Sequence, residues 1–409
     1  MRVIGIICEY NPFHNGHIYQ MTKAREIYHD SHIVAVMSGH FAQRGEASML
    51  NKFARARAAV LHGADLVIEL PFAYAVRSAE QFAKGGVKML SRLGVVDSIL
   101  FGAENPDTEK LGAIASISVK RETQAIIHKN MMNGLSYAAA LEKALNLNDE
   151  EKKLIREPNN ILAIEYMKAI NEMKSTMEPL AIARLGAHHC DKSIDGQIAS
   201  GTAIRSVIQS SQSIDSLKGV LPNEIFCEIS NKNSTDFPSV KNLYRPLLSE
   251  ILLHDSAHIK KIFGINEGLE NKFIKAGLIA KSFDDFLGMI KSRRYPMTRL
   301  MRTILYIMLG VTKDMINIID ASAPPYARIL AFNDNGRKLI RKIKENSDVE
   351  MITKISHHVN KNFLFSEKAS VHDIMMMLDA RSSLLYALCH KNTDHFENTF
   401  WTSPVYVKS

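Results

Sequence analysis

Five apolar, β-branched stretches punctuate the first half of the chain, at residues 3–8, 32–37, 65–70, 95–101 and 180–183, with helix-length segments between them. This alternation predicts parallel strands joined by right-handed helical crossovers, an α/β, Rossmann-like parallel sheet. A polar, Ser-rich stretch at residues 210–216 closes that pattern. Apolar positions then recur at helical spacing through 218–230, 244–263, 266–279, 283–290 and 298–309. With 409 residues, too many for one ordinary core, the chain is expected to form a sheet-containing domain at 1–212 and a mostly helical domain at 213–409.

Ligands of parallel sheets gather beyond the carboxyl ends of the strands, so the residues after each apolar stretch carry the candidate chemistry. After the first come Glu9-Tyr10-Asn11-Pro12-Phe13-His14-Asn15-Gly16-His17. Asn-Pro breaks the strand and a helical pattern follows, which puts His14 and His17 on one side of a first helical turn. Free backbone N–H groups and the helix dipole favour an anion there. Gly16, lacking a Cβ, is expected to let that ligand approach the backbone. A second anion site is expected where Ser200-Gly201-Thr202-Ala203-Ile204-Arg205 opens a later helix with hydroxyls, N–H groups and a fixed guanidinium.

Other strand ends add smaller expectations. The loop 38–46 brings Gln43, Arg44 and Glu46 for contact with phosphates or a small acid. Residues 69–74 are expected as a pocket wall. Gly102 offers room for a base or ribose, and Asn159 and Asn160 cap a helix with amides that suit an adenosine. Arg184 follows the late strand. The His-x-Gly-His after a first strand resembles the signature of the nucleotidyltransferase superfamily, whose histidines stabilise charge on ATP phosphates while AMP is transferred. The stretch 198–205 resembles the Ile-Ser-x-Thr-x-Ile-Arg motif of adenylyltransferases in the same superfamily.

Composition narrows the class further. The chain is 46% hydrophobic and 23% charged, as soluble globular proteins are. Met1-Arg2 leads straight into a strand with no cleavage-site pattern, and no apolar run reaches membrane length, so a cytoplasmic protein is expected. Cys8, Cys190, Cys227 and Cys389 are scattered without a Cys-x-x-Cys pair, which argues against a zinc ribbon or a disulfide framework, and Cys8 is expected in the core. His188-His189-Cys190-Asp191 looks like a ligand run, but neighbours on an extended chain face opposite ways. His254 and His258 imitate a zincin helix with Asp where Glu belongs and no third ligand. No metal site is expected. Net charge is +8, and arginines at 293, 294, 299, 302, 328, 337 and 341 with Tyr295, Tyr306 and Tyr326 suit phosphate contact and stacking on unpaired RNA bases.

Six blocks together resemble the tRNA(Met) cytidine acetate ligase family: residues 5–17, Ser38-Gly39-His40-Phe41-Ala42-Gln43-Arg44-Gly45-Glu46, residues 63–72, Phe101-Gly102-Ala103-Glu104, Pro158-Asn159-Asn160-Ile161-Leu162 and Ser292-Arg293-Arg294-Tyr295. The resemblance implies a ligase that uses ATP to activate acetate as acetyl-adenylate and then acetylates the wobble cytidine of elongator tRNA(Met). It implies an ATP site of Ile7, Cys8, Glu9, Tyr10, Asn11, Pro12, Phe13, His14, Asn15, Gly16, His17, Ile18, Tyr19 and Gln20 with Gly102, Asn159 or Asn160, and Arg184. His14, His17 and Arg205 would be catalytic, Ser200 and Thr202 would hold phosphates, and Mg²⁺ is expected with the ATP. Arg293, Arg294, Tyr295 and Arg299 would contact tRNA. One departure is Glu46-Ala47-Ser48, where Glu-Pro-Ala is expected, a change that should loosen the loop. The alternatives are an adenylyltransferase with a small acceptor, which the long basic half disfavours, and a non-catalytic RNA-binding protein on the same fold, which would not need both histidines. Oligomeric state and selectivity for acetate stay open.

Overall fold

A computed structural model describes residues 2–133, 135, 137–145, 147–185, 196–210, 213–266, 268–358, 370–391 and 401–408. The run at 188–191 therefore lies outside the described residues. The apolar stretches form strands β1 (Val3–Cys8), β2 (His32–Ser38), β3 (Leu66–Leu70), β4 (Ser98–Ala103) and β5 (Glu178–Ala183). They run parallel in the order β5-β4-β1-β2-β3. The fourth strand starts later than its apolar run because Gly94, at φ +68°, turns the chain, and the Asp97 carboxylate then accepts the Val3 N–H at 2.7 Å.

Alternation along these strands fills two cores. Val34, Val36, Leu66 and Ile68 face one layer, where Phe82, Val87 and Leu90 of the Ala79–Arg92 helix and Tyr166 of the Pro158–Glu172 helix lie. Ile33, Ala35, Met37 and Val67 face the other, covered by α1 (Asn15–Ile27), α2 (Lys52–Leu61) and the Gly201–Gln209 helix.

The second half differs from a purely helical unit. Residues 326–332 form β6 (Tyr326–Phe332), antiparallel to β3, and β7 (Glu350–Ile352) and β8 (Val405–Tyr406) pair with β6 to complete an eight-stranded sheet. The sheet thus crosses the expected 212/213 boundary. The reason is electrostatic as well as apolar. Arg328, expected on a basic surface, is 1% exposed and meets Glu69 at 3.3 Å, while Lys52 meets the same carboxylate at 2.7 Å. Burial pushes Lys52 down to about 8, with Arg328 acting in the same direction and Glu69 opposing. Beside them the buried Asp379 accepts from the Tyr326 hydroxyl at 2.6 Å and from the Phe72 N–H at 2.7 Å, tying the Val371–Leu388 helix to β3 and β6.

These contacts correct two expectations. Phe72 and Tyr74 pack in the core rather than along a pocket. Tyr306 and Tyr326 are 4% and 2% exposed, so neither ring is available to a base.

Replacing Glu69 with Ala leaves two buried cations without their shared carboxylate. The expected loss is about 3–5 kcal/mol, read as a lower midpoint in urea unfolding; a midpoint within error of the parent would contradict this account of the buried cluster.

Candidate active site

The chain leaves β1 through Tyr10 at φ 49° and a cis Asn11–Pro12 bond, and enters α1 with His14 as its N-cap. The Asn11 carboxamide oxygen accepts the Met49 N–H at 2.8 Å and anchors this turn. The His14 Nδ1 accepts the Gly16 N–H at 3.1 Å, and the His17 Nδ1 accepts the His14 N–H at 3.1 Å. A nitrogen that accepts carries no proton, so in each neutral ring the proton sits on Nε2. The rings lie 3.8 Å apart. Burial, then the charge of Arg184 and of Arg205, pushes His14 down to about 3. Burial, then His14 and Arg184, pushes His17 down as well. Both are neutral donors at working pH. Gly16 has a different task from the one expected: a Cβ there would stand 2.9 Å from His14 Cε1, so glycine makes room for the capping ring.

Across the pocket the Ser200 hydroxyl caps the Gly201–Gln209 helix by accepting the Ala203 N–H at 3.1 Å. A Cβ at Gly201 would lie 3.9 Å from His14 Nε2, so the two expected anion sites face each other. Arg205 donates to the Asn11 carbonyl at 2.9 Å and to the Thr202 hydroxyl at 3.4 Å, and pairs with Glu46 at 3.4 Å. The loop carrying Glu46 is a hairpin closed by Ala42 N–H to Glu46 and Ser48 N–H to His40, each 2.9 Å. Neither bond uses the Ala47 N–H, so a proline at that position would cost none of them.

The cavity between these groups is about 450 Å³. Of residues 7–20, the side chains of Phe13, Asn15 and Ile18 turn away: Phe13 is in the core, Ile18 packs against it, and Asn15 donates to the Gln197 and Gly219 carbonyls at 3.0 Å. The other eleven line the cavity with Gly102, Asn159, Arg184, Ser200, Thr202 and Arg205. Asn159 and Asn160 prove to be inside the first turn of their helix, which Glu104 caps: its carboxylate accepts both backbone N–H groups, at 3.4 and 2.9 Å. Asn160 is buried and accepts the Asn105 N–H at 3.1 Å, whereas Asn159 faces the pocket and accepts from Arg184 at 3.4 Å.

Sequence reasoning missed Phe82, Leu162 and Tyr166, which also line the cavity. The signal for the last two was present, since 159, 162 and 166 share one helical face.

The basic segment lies elsewhere. Arg293 and Arg294 are exposed. Tyr295 is 4% exposed and donates to the Asn266 carbonyl at 2.8 Å, with the Arg299 guanidinium stacked 4.8 Å from its ring centre. Its ring therefore supports the arginine rather than presenting a free face. The zincin-like pair also resolves differently: the helix Tyr244–Leu252 ends before His254, and Asp255 caps the next by accepting the His258 N–H. Among the described residues no group of three His, Cys, Asp or Glu is placed to hold a metal ion, and no helix is long and apolar enough to cross a membrane.

The HIGH Nucleotidyl Transferase family matches residues 1–399. The tRNA(Met) cytidine acetate ligase of Acetivibrio thermocellus is 36% identical over 96% of both chains, and that of Alkaliphilus metalliredigens 36% identical over 100% of this chain and 99% of its own. Crystal structures of Thermotoga maritima TmcAL, apo and bound with alpha-thio ATP, align over 100% of both chains with TM-scores of 0.89 and 0.88 at 31% and 30% identity.

A His14 whose neutral form is favoured by folding binds its proton more readily when unfolded. Stability should therefore be full above about pH 6.5 and fall as pH drops towards 3, by up to ~1.4 kcal/mol per unit. The difference in urea stability between the parent and His14→Gln should show this slope, and a pH-independent difference would contradict it. Gly16→Ala should displace the His14 ring and weaken ATP binding by about tenfold in calorimetry with the helix content kept, since a shift of one contact of this kind is worth ~1.4 kcal/mol.

Proposed function

Because the chain belongs to the HIGH nucleotidyltransferase family, and within it to the tRNA(Met) cytidine acetate ligases, we propose that this pocket activates acetate with ATP and passes the acetyl group to the wobble cytidine of elongator tRNA(Met). The protein is an ATP-dependent ligase. The observation that carries the site assignment is the opposition of two imidazole Nε2–H donors to the Ser200-Gly201 helix start and Arg205. Phosphoryl chemistry needs placed donors more than a protein nucleophile.

An acetate oxygen attacks the α-phosphorus, the bond to pyrophosphate breaks, and acetyl-adenylate forms. His14 and His17 donate to the α-phosphate oxygens. Arg205, Thr202 and the N–H groups at Gly201 take the leaving pyrophosphate, while Gly102, Asn159 and Arg184 hold the nucleoside end. The cytidine N4 then attacks the acetyl carbonyl and AMP leaves. Mg²⁺ accompanies the nucleotide; the described residues offer it no cage, so it would draw its ligands mainly from phosphates and water.

The exposed Arg293 and Arg294, with Arg299 supported on Tyr295, are the surface proposed for tRNA phosphates. A cytoplasmic location fits such a substrate.

Pyrophosphate release should depend on acetate, and nucleoside analysis of treated tRNA(Met) should show N4-acetylcytidine. Replacing His17 with Ala should lower adenylate formation by at least 10²-fold while tRNA affinity stays near the parent value. Release without acetate, or loss of tRNA binding along with chemistry, would overturn this division of labour.

A further inference from the structure

The pocket has two walls, set by the pleat of β1. Cys8 and Tyr10 join the core beneath α1, whereas Ile7 packs into the opposite core with Phe82 and Tyr166. Glu9 continues on the Ile7 side. Its carboxylate accepts the Gln43 N–H at 2.6 Å and lines the same cavity as the histidines, from the other wall. A carboxylate repels phosphates, so Glu9 is poorly suited to hold ATP. It is well suited to the partner that arrives opposite the phosphate clamp.

Resting on the function proposed above, we infer that Glu9 is the general base of acetyl transfer, accepting a proton from the cytidine N4 amine as that nitrogen attacks. The N4 lone pair is delocalised into the pyrimidine ring, so the amine is a weak nucleophile that must shed a proton as the C–N bond forms. In this step N4 bonds to the acetyl carbon, the carbon–oxygen bond to phosphate breaks, AMP leaves with the electron pair, and one N4 proton goes to the Glu9 carboxylate. The atoms and charges balance without a further reactant. Tyr166 lies on this wall, and Arg205, Glu46 and Arg44 face the carboxylate from the loops above. Burial raises the proton affinity of Glu9, with the Gln43 N–H and Arg205 opposing, which brings the group towards the range a base needs.

Glu9→Gln keeps an oxygen for the Gln43 N–H. Preformed acetyl-adenylate on the enzyme is mixed with tRNA(Met) in single-turnover experiments across pH, and acetate-dependent exchange of pyrophosphate into ATP is measured in parallel. The expected result for Glu9→Gln is transfer slowed by about 10²-fold or more with the acidic limb of the pH profile lost, against a change in exchange of less than about fivefold. Glu9→Asp should recover part of the rate together with that limb. Exchange and transfer falling together, or transfer keeping the parent pH profile in Glu9→Gln, would overturn the role of Glu9. A parent enzyme that forms no acetylcytidine would instead overturn the functional reading on which it rests.

Discussion

The Arg55 guanidinium, wholly buried at the carboxyl ends of β1 and β2, is the constraint on which the site depends. It donates to the carbonyls of Leu50 at 3.0 Å and Ser38 at 3.3 Å, and to those of Glu9 and Gly39. These carbonyls lie where the strand ladder ends, and a buried carbonyl without a donor costs free energy comparable to a lost hydrogen bond. One planar cation satisfies four of them. The two strands can therefore part at their tips, sending one chain into the His14 turn and the other into the loop of Gln43 and Glu46, without leaving unpaired backbone beneath the cavity.

A division of labour follows from this opening. The histidines, stripped of solvent and flanked by arginines, contribute direction rather than charge: each backbone bond to Nδ1 leaves Nε2–H as the donor. Arg184 and Arg205 supply the charge. Glu46 and Glu104 hold the polar elements around them in place, one by pairing with Arg205 and the other by capping the helix of Asn159. The result is a clamp with fixed cations on its rim and neutral, aimed donors at its centre, the arrangement that stabilises charge developing on a phosphorus-bound oxygen.

Beneath the same loop a second buried cluster ties the two halves of the chain together. Glu69 on β3 meets Lys52 and Arg328, and Asp379 joins β6 to the Val371–Leu388 helix. The Tyr386 hydroxyl of that helix donates to the Ser48 carbonyl at 2.8 Å. The late part of the chain thus supports the floor of the loop that carries Glu46, and the basic surface and the pocket share one framework.

The amino-acid sequence by itself determined the local devices. The first strand, its breaking turn, the paired histidines and the Ser-Gly-Thr-x-Ile-Arg helix start all act within a few residues of themselves, so their chemistry can be read from order and spacing. Tertiary structure alone decided the partners. Arg55, Arg328, Tyr295, Tyr306 and Tyr326 look like surface residues in a basic chain. Nothing local marks the carbonyls, the Glu69 carboxylate 259 positions away or the core that takes them in. Glycine at 16 likewise looked like room for a ligand until the His14 ring was seen to fill it. Charge and aromaticity state what a side chain is able to bind, and only the packing of distant segments states what lies within its reach.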